Sequence, residues 1–187
     1  HLLGSAITEL FIKGDNQTKK IVFSGDLGRN TDIMLNPPTV IEEADVLFVE
    51  STYGNKDNPN GDPAGELTRI VNETIANNGV LLIPAFAVGR TQVLLYHLHM
   101  LMVRDKIPVV PVFIDSPMAT SATYLYYKHP QYHKVRFNQS QFARQLETNM
   151  LVFVKNSKHS KELNEIKKHA IIISSSGMMT GGRILHH

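Results

Sequence analysis

Three polar residues among the first fifty positions are of types that bind divalent metal ions. His1 opens the chain in HLLGSA, Asp26 follows an apolar run in FSGDLGR, and Glu50 ends another apolar run in FVESTYG. A carboxylate can bridge two cations and imidazole is the commonest nitrogen ligand, so these residues are candidates for a hydrolytic metal site. Two-metal hydrolysis uses such an aspartate between ions roughly 3.5–4 Å apart. Each residue alone has a plainer interpretation, since an aspartate after a strand is usually a turn residue.

A second group of candidates lies in three loops built mainly of small residues. The loops are 84–90 (PAFAVGR), 115–119 (DSPMA) and 174–182 (SSSGMMTGG), and each follows a predicted strand and leads into a predicted helix. Exposed amides at a helix start favour phosphate, and an arginine adds a planar cationic fork. The candidate RNA- or phosphate-binding residues are Arg90, Ser116, Ser175, Ser176 and Gly177. The alternative is that the small residues only permit tight turns.

The composition indicates an ordinary globular protein. Of the 187 residues, 42% are hydrophobic and 19% are charged, which excludes intrinsic disorder and low-complexity architecture. No apolar run approaches the roughly 18–20 residues that span a bilayer, and no signal peptide is predicted, so we expect no membrane association. With 0 Cys, disulfide frameworks, Cys-ligated zinc and thiol catalysis are excluded. We expect a cytoplasmic location.

The charge is distributed unevenly along the chain. Residues 1–52 hold 4 Lys/Arg and 8 Asp/Glu, whereas residues 53–187 hold 15 Lys/Arg and 9 Asp/Glu. A polyanionic ligand would be attracted to the second part. A solvated basic face is the plainer explanation of the same counts.

The pattern of apolar residues predicts an α/β fold. Before residue 53 it predicts a β-hairpin over 5–13 and 20–23 and a short strand over 45–50. From residue 63 onward, strands alternate with helices, which predicts a parallel sheet with helices on both faces. Asp62 and Pro63 predict the start of the first helix, as its N-cap and first residue. The predicted strands are 80–85, 109–114, 150–154 and 170–174, and the later helices are 90–104, 119–128 and 160–168. The polar run at 53–62 marks a domain boundary, while 131–149 has no assignable structure.

In their order along the chain, the motifs resemble one known family. HLLGSA, FSGDLGR, FVESTYG, LLIPAFAVGRTQ, DSPMA and SSSGMMTGGRILHH resemble the β-CASP branch of the metallo-β-lactamase superfamily. This branch includes the cleavage and polyadenylation endonuclease subunit, its archaeal and bacterial relatives and, more distantly, ribonuclease J. The resemblance implies that residues 1–57 are part of a metallo-β-lactamase β-sheet domain. Residues 58–187 would then form a β-CASP domain with a mainly parallel sheet flanked by helices.

The resemblance also implies roles for individual residues. His1 corresponds to the histidine of the third metal motif, Asp26 to the aspartate that bridges two zinc ions, and Glu50 to the acidic residue of motif A. In the family that acid supports a later histidine, which assists protonation of the leaving group. The implied activity is hydrolysis of RNA phosphodiester bonds by a hydroxide that two zinc ions activate, with the β-CASP domain clamping single-stranded RNA. The choice of RNA over DNA rests on the resemblance alone.

The departures from the family pattern suggest a middle section of a larger enzyme. The HxHxDH motif and the later histidines of motifs B and C are absent, and His186 and His187 are interpreted as part of the helix after GGR. We therefore expect the 187 residues alone to be catalytically inactive and to bind zinc weakly or not at all. The alternative function is a non-catalytic, RNA-binding scaffold that pairs with an active homologue. A homodimer is also left open.

Overall fold

A computed structural model describes residues 2–57, 61–135 and 150–187. These residues group into two compact units, one of residues 2–57 with Gln131–Val135 and one of the remainder, and each is described separately. His1 and most of the unassigned segment 131–149 lie outside the described residues. None of the described helices is both long enough and apolar enough to cross a membrane.

The elements are numbered in chain order. The strands are β1 Thr8–Lys13, β2 Thr18–Phe23, β3 Val46–Phe48, β4 Val80–Pro84, β5 Val112–Asp115, β6 Leu151–Phe153 and β7 Ala170–Ser174. The α-helices are α1 Pro63–Ala76, α2 Arg90–Val103, α3 Pro117–Lys128 and α4 Ser157–Glu162. Short 3-10 helices cover Pro130–Tyr132, Leu163–Glu165 and Arg183–His186.

The first unit contains a three-stranded sheet in the order β1-β2-β3. Strands β1 and β2 form the predicted antiparallel hairpin, which the bond from the Gly14 amide to the Gln17 carbonyl closes at 2.9 Å. Strand β3 pairs with β2 in parallel, with Val22 opposite Leu47. Because β2 and β3 run in the same direction, the segments that follow them leave the sheet at the same edge.

A segment distant in sequence completes the first unit. Gln131–Val135 groups with residues 2–57 through an isolated bridge between Leu35 and His133. The Lys134 amide donates to the Met34 carbonyl at 2.8 Å. The segment joins this unit through long-range backbone pairing, for which the linear sequence pattern carries no signal.

The second unit is a four-stranded parallel sheet in the order β4-β7-β5-β6. Ile171 and Ile173 of the central strand β7 pack into one core with Leu98 of α2, while Ile172 packs into a second core with Leu163. Alternate residues of a strand face opposite sides of its sheet, so these two cores show helical structure on both faces. The predicted α/β fold with a flanked parallel sheet is confirmed.

Local capping explains where two of the helices begin. The Asp62 carboxylate accepts a hydrogen bond from the Ala64 amide at 3.1 Å, so α1 starts at Pro63 as the sequence predicts. The predicted helix over 160–168 is wrong in its bounds. The Asn156 side chain accepts from the His159 amide at 3.0 Å and starts α4 earlier, and the chain tightens into a 3-10 helix after Glu162.

Candidate nucleic-acid interface

The first unit brings Asp26 and Glu50 to one edge of its sheet. The amide of Ser24, which follows β2, donates to the Phe48 carbonyl of β3 at 2.9 Å. The Ser24 hydroxyl oxygen accepts from the Glu50 amide at 3.0 Å. Ser24 thus ties together the two segments that carry the predicted catalytic carboxylates.

The turn that carries Asp26 depends on glycine. Gly25 has φ of +56°, and a Cβ at this position would collide with the Ala6 carbonyl oxygen. The Ser5 hydroxyl donates to the Asp26 carbonyl at 2.8 Å. The backbone on both sides of Asp26 is therefore held close to residues 5 and 6, while Asp26 itself is exposed.

The Glu50 carboxylate is stabilised in its ionised form. Hydrogen bonds from the Thr52 amide and hydroxyl, followed by one from the Leu27 amide, lower the pKa of Glu50 below its ordinary value. The Thr52 amide lies 2.9 Å from Glu50 Oε2. The Leu27 backbone, which directly follows Asp26, is thus among the groups that stabilise the ionised Glu50 carboxylate.

The described residues do not form a zinc site. His1 lies outside them, and within 2–57, 61–135 and 150–187 no group of three or more His, Cys, Asp or Glu side chains could hold a metal ion. An exposed carboxylate such as Asp26 is chemically suited to bind zinc, but one or two such donors do not make a site. In α2, burial lowers the pKa of both His97 and His99, which fits a packing role for these two histidines.

In the second unit the three predicted loops begin side by side. The register places Pro84 of β4 opposite Ser174 of β7, and Ser174 opposite Asp115 of β5. Loops 84–90, 115–119 and 174–182 therefore start at the carboxyl edge of one parallel sheet, where ligands bind in folds of this kind.

Backbone hydrogen bonds close loop 174–182 at its base. The Ser176 amide donates to the Gly181 carbonyl at 3.2 Å, and the Ile184 amide donates to the Ser175 carbonyl at 2.9 Å. Gly182 has φ of +84°, and a Cβ there would lie 2.5 Å from the Ser175 oxygen. Within the described residues, the amides of Gly177, Gly181 and Gly182 donate to no protein acceptor; Gly182 is exposed, and Gly177 and Gly181 are half-buried.

The predicted phosphate-binding residues differ in exposure. Ser116 is only 6% exposed; its hydroxyl oxygen accepts from the Ala119 amide at 3.2 Å and from the Ser175 hydroxyl at 2.8 Å. Ser116 thus caps α3 and holds Ser175. Ser176 and Gly177 are half-buried, and Arg90 is exposed in the first turn of α2.

Sequence reasoning missed the residue that joins these loops. Asp115 is 0% exposed, and its carboxylate accepts from Arg183 at 2.6 Å and from the Ser160 hydroxyl at 2.5 Å. Its carbonyl oxygen accepts from the Ser174 hydroxyl at 3.1 Å. Burial alone would raise the Asp115 pKa, but hydrogen bonds from Ser160, His187 and Arg183 outweigh it and hold the pKa below its ordinary value.

His187 completes this arrangement from the last position of the chain. Its Nε2 lies 2.9 Å from an Asp115 carboxylate oxygen, and its Nδ1 lies 2.8 Å from the Asn164 Oδ1. The Asn164 amide group donates instead to the His186 carbonyl at 3.0 Å, which fixes its orientation. Both ring nitrogens of His187 thus lie within hydrogen-bonding distance of oxygen atoms. We call Asp115, Ser160, Arg183 and His187 the Asp115 cluster.

Comparisons with known proteins relate the amino-acid sequence to one family. The family model described as the Beta-Casp domain matches residues 91–187. Ribonuclease TTHA0252 of Thermus thermophilus is 34% identical over 190 residues, covering 100% of this chain and 43% of the relative. An RNase J-like protein of Methanocaldococcus jannaschii is 32% identical, covering 100% of this chain and 43% of the relative.

A third relative carries a different name. Transcription termination factor FttA of Methanosarcina mazei is 30% identical, covering 100% of this chain and 30% of the relative. The chain therefore spans less than half the length of these curated relatives.

Proposed function

The chain belongs to the Beta-Casp domain family, and from this membership we propose that the full-length protein is a ribonuclease that binds single-stranded RNA. One observation carries the proposal: loops 84–90, 115–119 and 174–182 meet at the carboxyl edge of one parallel sheet, with available amides and an exposed Arg90. Such a surface suits a chain of phosphates. Two of the relatives carry the names Ribonuclease TTHA0252 and RNase J-like protein, and these names support RNA as the polyanion.

The carboxylates of the first unit are the proposed contribution to catalysis. We propose that Asp26 is a metal ligand and that Glu50 acts beside it, with zinc as the metal and His1 as a further ligand. Zinc would lower the pKa of a bound water and neutralise charge on the phosphate. Because the described residues do not form a zinc site, no catalytic step follows from them, and we expect the 187 residues alone not to cleave RNA. A cytoplasmic location and a homodimer remain predictions.

The test separates cleavage from binding. In the full-length protein, Asp26→Ala should abolish cleavage of an end-labelled single-stranded RNA and leave its binding, measured by fluorescence anisotropy, unchanged. Asp15→Ala is the matched control, because Asp15 is also exposed in the first unit but precedes β2, whereas Asp26 follows it. The control should cleave at the wild-type rate.

Three results would decide against parts of this proposal. Cleavage that persists in Asp26→Ala would refute the role of Asp26. A wild-type protein that binds RNA without cleaving it would favour the non-catalytic scaffold. A wild-type protein that binds no RNA would refute the proposed function altogether.

A further inference from the structure

An exposed aromatic ring lies at the same edge of the second unit. Phe86 follows β4 by two residues and is 55% exposed. Its position is fixed by its own backbone, because the Phe86 carbonyl accepts from the Thr91 amide at 3.3 Å and from the Thr91 hydroxyl at 2.8 Å. A single exposed apolar side chain is ordinary on a protein surface, so a binding role for Phe86 depends on its neighbours.

The ring lies directly against loop 174–182. A Cβ built on Gly177 would lie 2.9 Å from the Phe86 ring atom Cδ2 and 2.8 Å from the Phe86 nitrogen. Gly177 is one of the residues whose amide donates to no protein acceptor in the described part of the chain. Met178 and Met179, which follow it, are 68% and 56% exposed. An exposed aromatic residue and an amide without a protein acceptor are thus immediate neighbours.

Positive charge accompanies this surface. The hydrogen bonds from Thr91 to the Phe86 carbonyl turn the chain back on itself. Arg90, which precedes Thr91 and is exposed, therefore starts α2 beside Phe86. A partner that fits must therefore offer a flat apolar face together with a negative charge. An apolar protein segment would leave the arginine and the amides unused, and a bare polyphosphate would leave the ring unused. A nucleotide uses both.

We propose that Phe86 is a stacking platform for one nucleobase of a single-stranded RNA. The neighbouring phosphate is held by the Gly177 amide and by Arg90. This inference rests on the proposed function, since it specifies how RNA is held at the edge that binds it. Stacking accepts any base, because every base has a π face, so the platform contributes affinity without a strong sequence preference.

The test compares ligands that differ in whether they carry bases. Binding to the full-length protein is measured by anisotropy for a labelled single-stranded RNA, and by competition for an abasic ribose-phosphate chain of equal length and for inorganic polyphosphate. Phe86→Ala should weaken RNA binding by roughly 5- to 150-fold, the range for loss of one stacked base. Its binding to the two base-free ligands should stay within about twofold of wild type, since these ligands use only charge and amides.

Two further variants separate stacking from folding. Phe86→Trp should bind RNA about as well as the wild type, because tryptophan also offers an aromatic face. Phe86→Leu should bind RNA as weakly as Phe86→Ala, because leucine is apolar but not aromatic. Leu125→Ala is the control, because Leu125 is 53% exposed on α3 and has no aromatic face. It should bind all three ligands as the wild type does.

These measurements distinguish failure of the stacking platform from failure of the proposed function. If wild type binds RNA but Phe86→Ala binds it equally well, the platform is refuted and the proposed function stands. If Phe86→Ala weakens polyphosphate and RNA binding equally, Phe86 shapes the loop and does not stack, which also refutes the platform. If the wild type binds no RNA, the proposed function fails first.

Discussion

Replacing Asp115 by asparagine should loosen loop 174–182. The substitution keeps the size of the side chain and removes the charge that Arg183 and His187 face at 2.6 and 2.9 Å. Asparagine keeps one acceptor oxygen but replaces the other with an NH2 group that can only donate, so it cannot satisfy the contacts that both carboxylate oxygens make with Arg183, Ser160 and His187. The end of the loop would lose its connection to the end of β5.

The size of the expected destabilisation follows from how deeply Asp115 and Arg183 are buried. Removing one member of a buried ion pair costs roughly 3–5 kcal/mol, because a charge is left without compensation. The Asp115 side chain is 0% exposed, but the Arg183 side chain is 27% exposed and water can partly solvate it. We therefore expect the lower end of the range, about 3 kcal/mol of local stability. That corresponds to roughly 100-fold faster opening, at about 1.4 kcal/mol per factor of ten.

Hydrogen exchange followed by mass spectrometry measures this opening locally. Peptides that cover 112–116 and 174–187 should exchange roughly 100-fold faster in Asp115→Asn than in wild type, and peptides from β1 and β2 should not change. Asp105→Asn is the matched control, since Asp105 is exposed and its φ of +53° suits asparagine. Exchange within about threefold of wild type at 174–187 would refute the argument that this carboxylate holds the loop.

The stability difference between wild type and Asp115→Asn should depend on pH with a defined sign. The Asp115 pKa is lowered in the folded protein, so its contribution to stability is complete above its unfolded value of about 3.9 and is lost as the pH falls through the lower folded pKa. In thermal unfolding, the difference between wild type and Asp115→Asn should therefore be constant above about pH 5 and shrink below about pH 4. A difference that grows as the pH falls would contradict the direction of the pKa shift.

Two other substitutions test the carboxyl edge of the second unit. Arg90→Ala should weaken RNA binding roughly tenfold and lower the slope of log affinity against log salt by about 0.7, as expected when one phosphate contact is lost. Arg104→Ala, at the opposite end of the same helix, should leave the RNA affinity and the salt slope nearly unchanged. Equal effects of Arg90→Ala and Arg104→Ala would refute a local role for Arg90. Gly182→Ala should destabilise loop 174–182 by about 1–3 kcal/mol in hydrogen exchange, because φ is +84° and the new Cβ would lie 2.5 Å from the Ser175 oxygen. Gly181→Ala is its control, since a Cβ there meets nothing within 4 Å, and equal exchange in the two variants would contradict the steric argument.

Local signals in the sequence were sufficient to predict most elements of the fold. Asp62 and Pro63 mark the start of α1, and the apolar run 170–174 is strand β7. The same kind of signal was available for α4, whose Asn156 cap precedes Ser157, but the predicted helix started later, at residue 160. The strand order β4-β7-β5-β6 could not be predicted, since alternation of strands and helices does not specify which strands pair.

The candidate site was predictable only where its residues stand next to strand ends. Asp26, Glu50 and the three loops follow apolar runs, and the structure places them at two sheet edges. The Asp115 cluster joins residues separated by 45 to 72 positions, and no short motif connects them. Asp115 stood out only as part of a small-residue loop, and His187 only as part of the helix after GGR.

The position of the Asp115 cluster explains how loop 174–182 keeps its shape. Met178, Met179 and Thr180 are exposed, so burial of apolar side chains within the loop contributes little to its stability. The backbone bonds at its base and the hydrogen bonds to Asp115 and Ser116 hold it at both ends. A buried ionic cluster contributes less to global stability than a well-packed apolar one would, but it fixes the direction of each group that it contacts. An anion binds to amides only when they point to one place, so the proposed phosphate binding by this loop depends on the backbone that the Asp115 cluster holds.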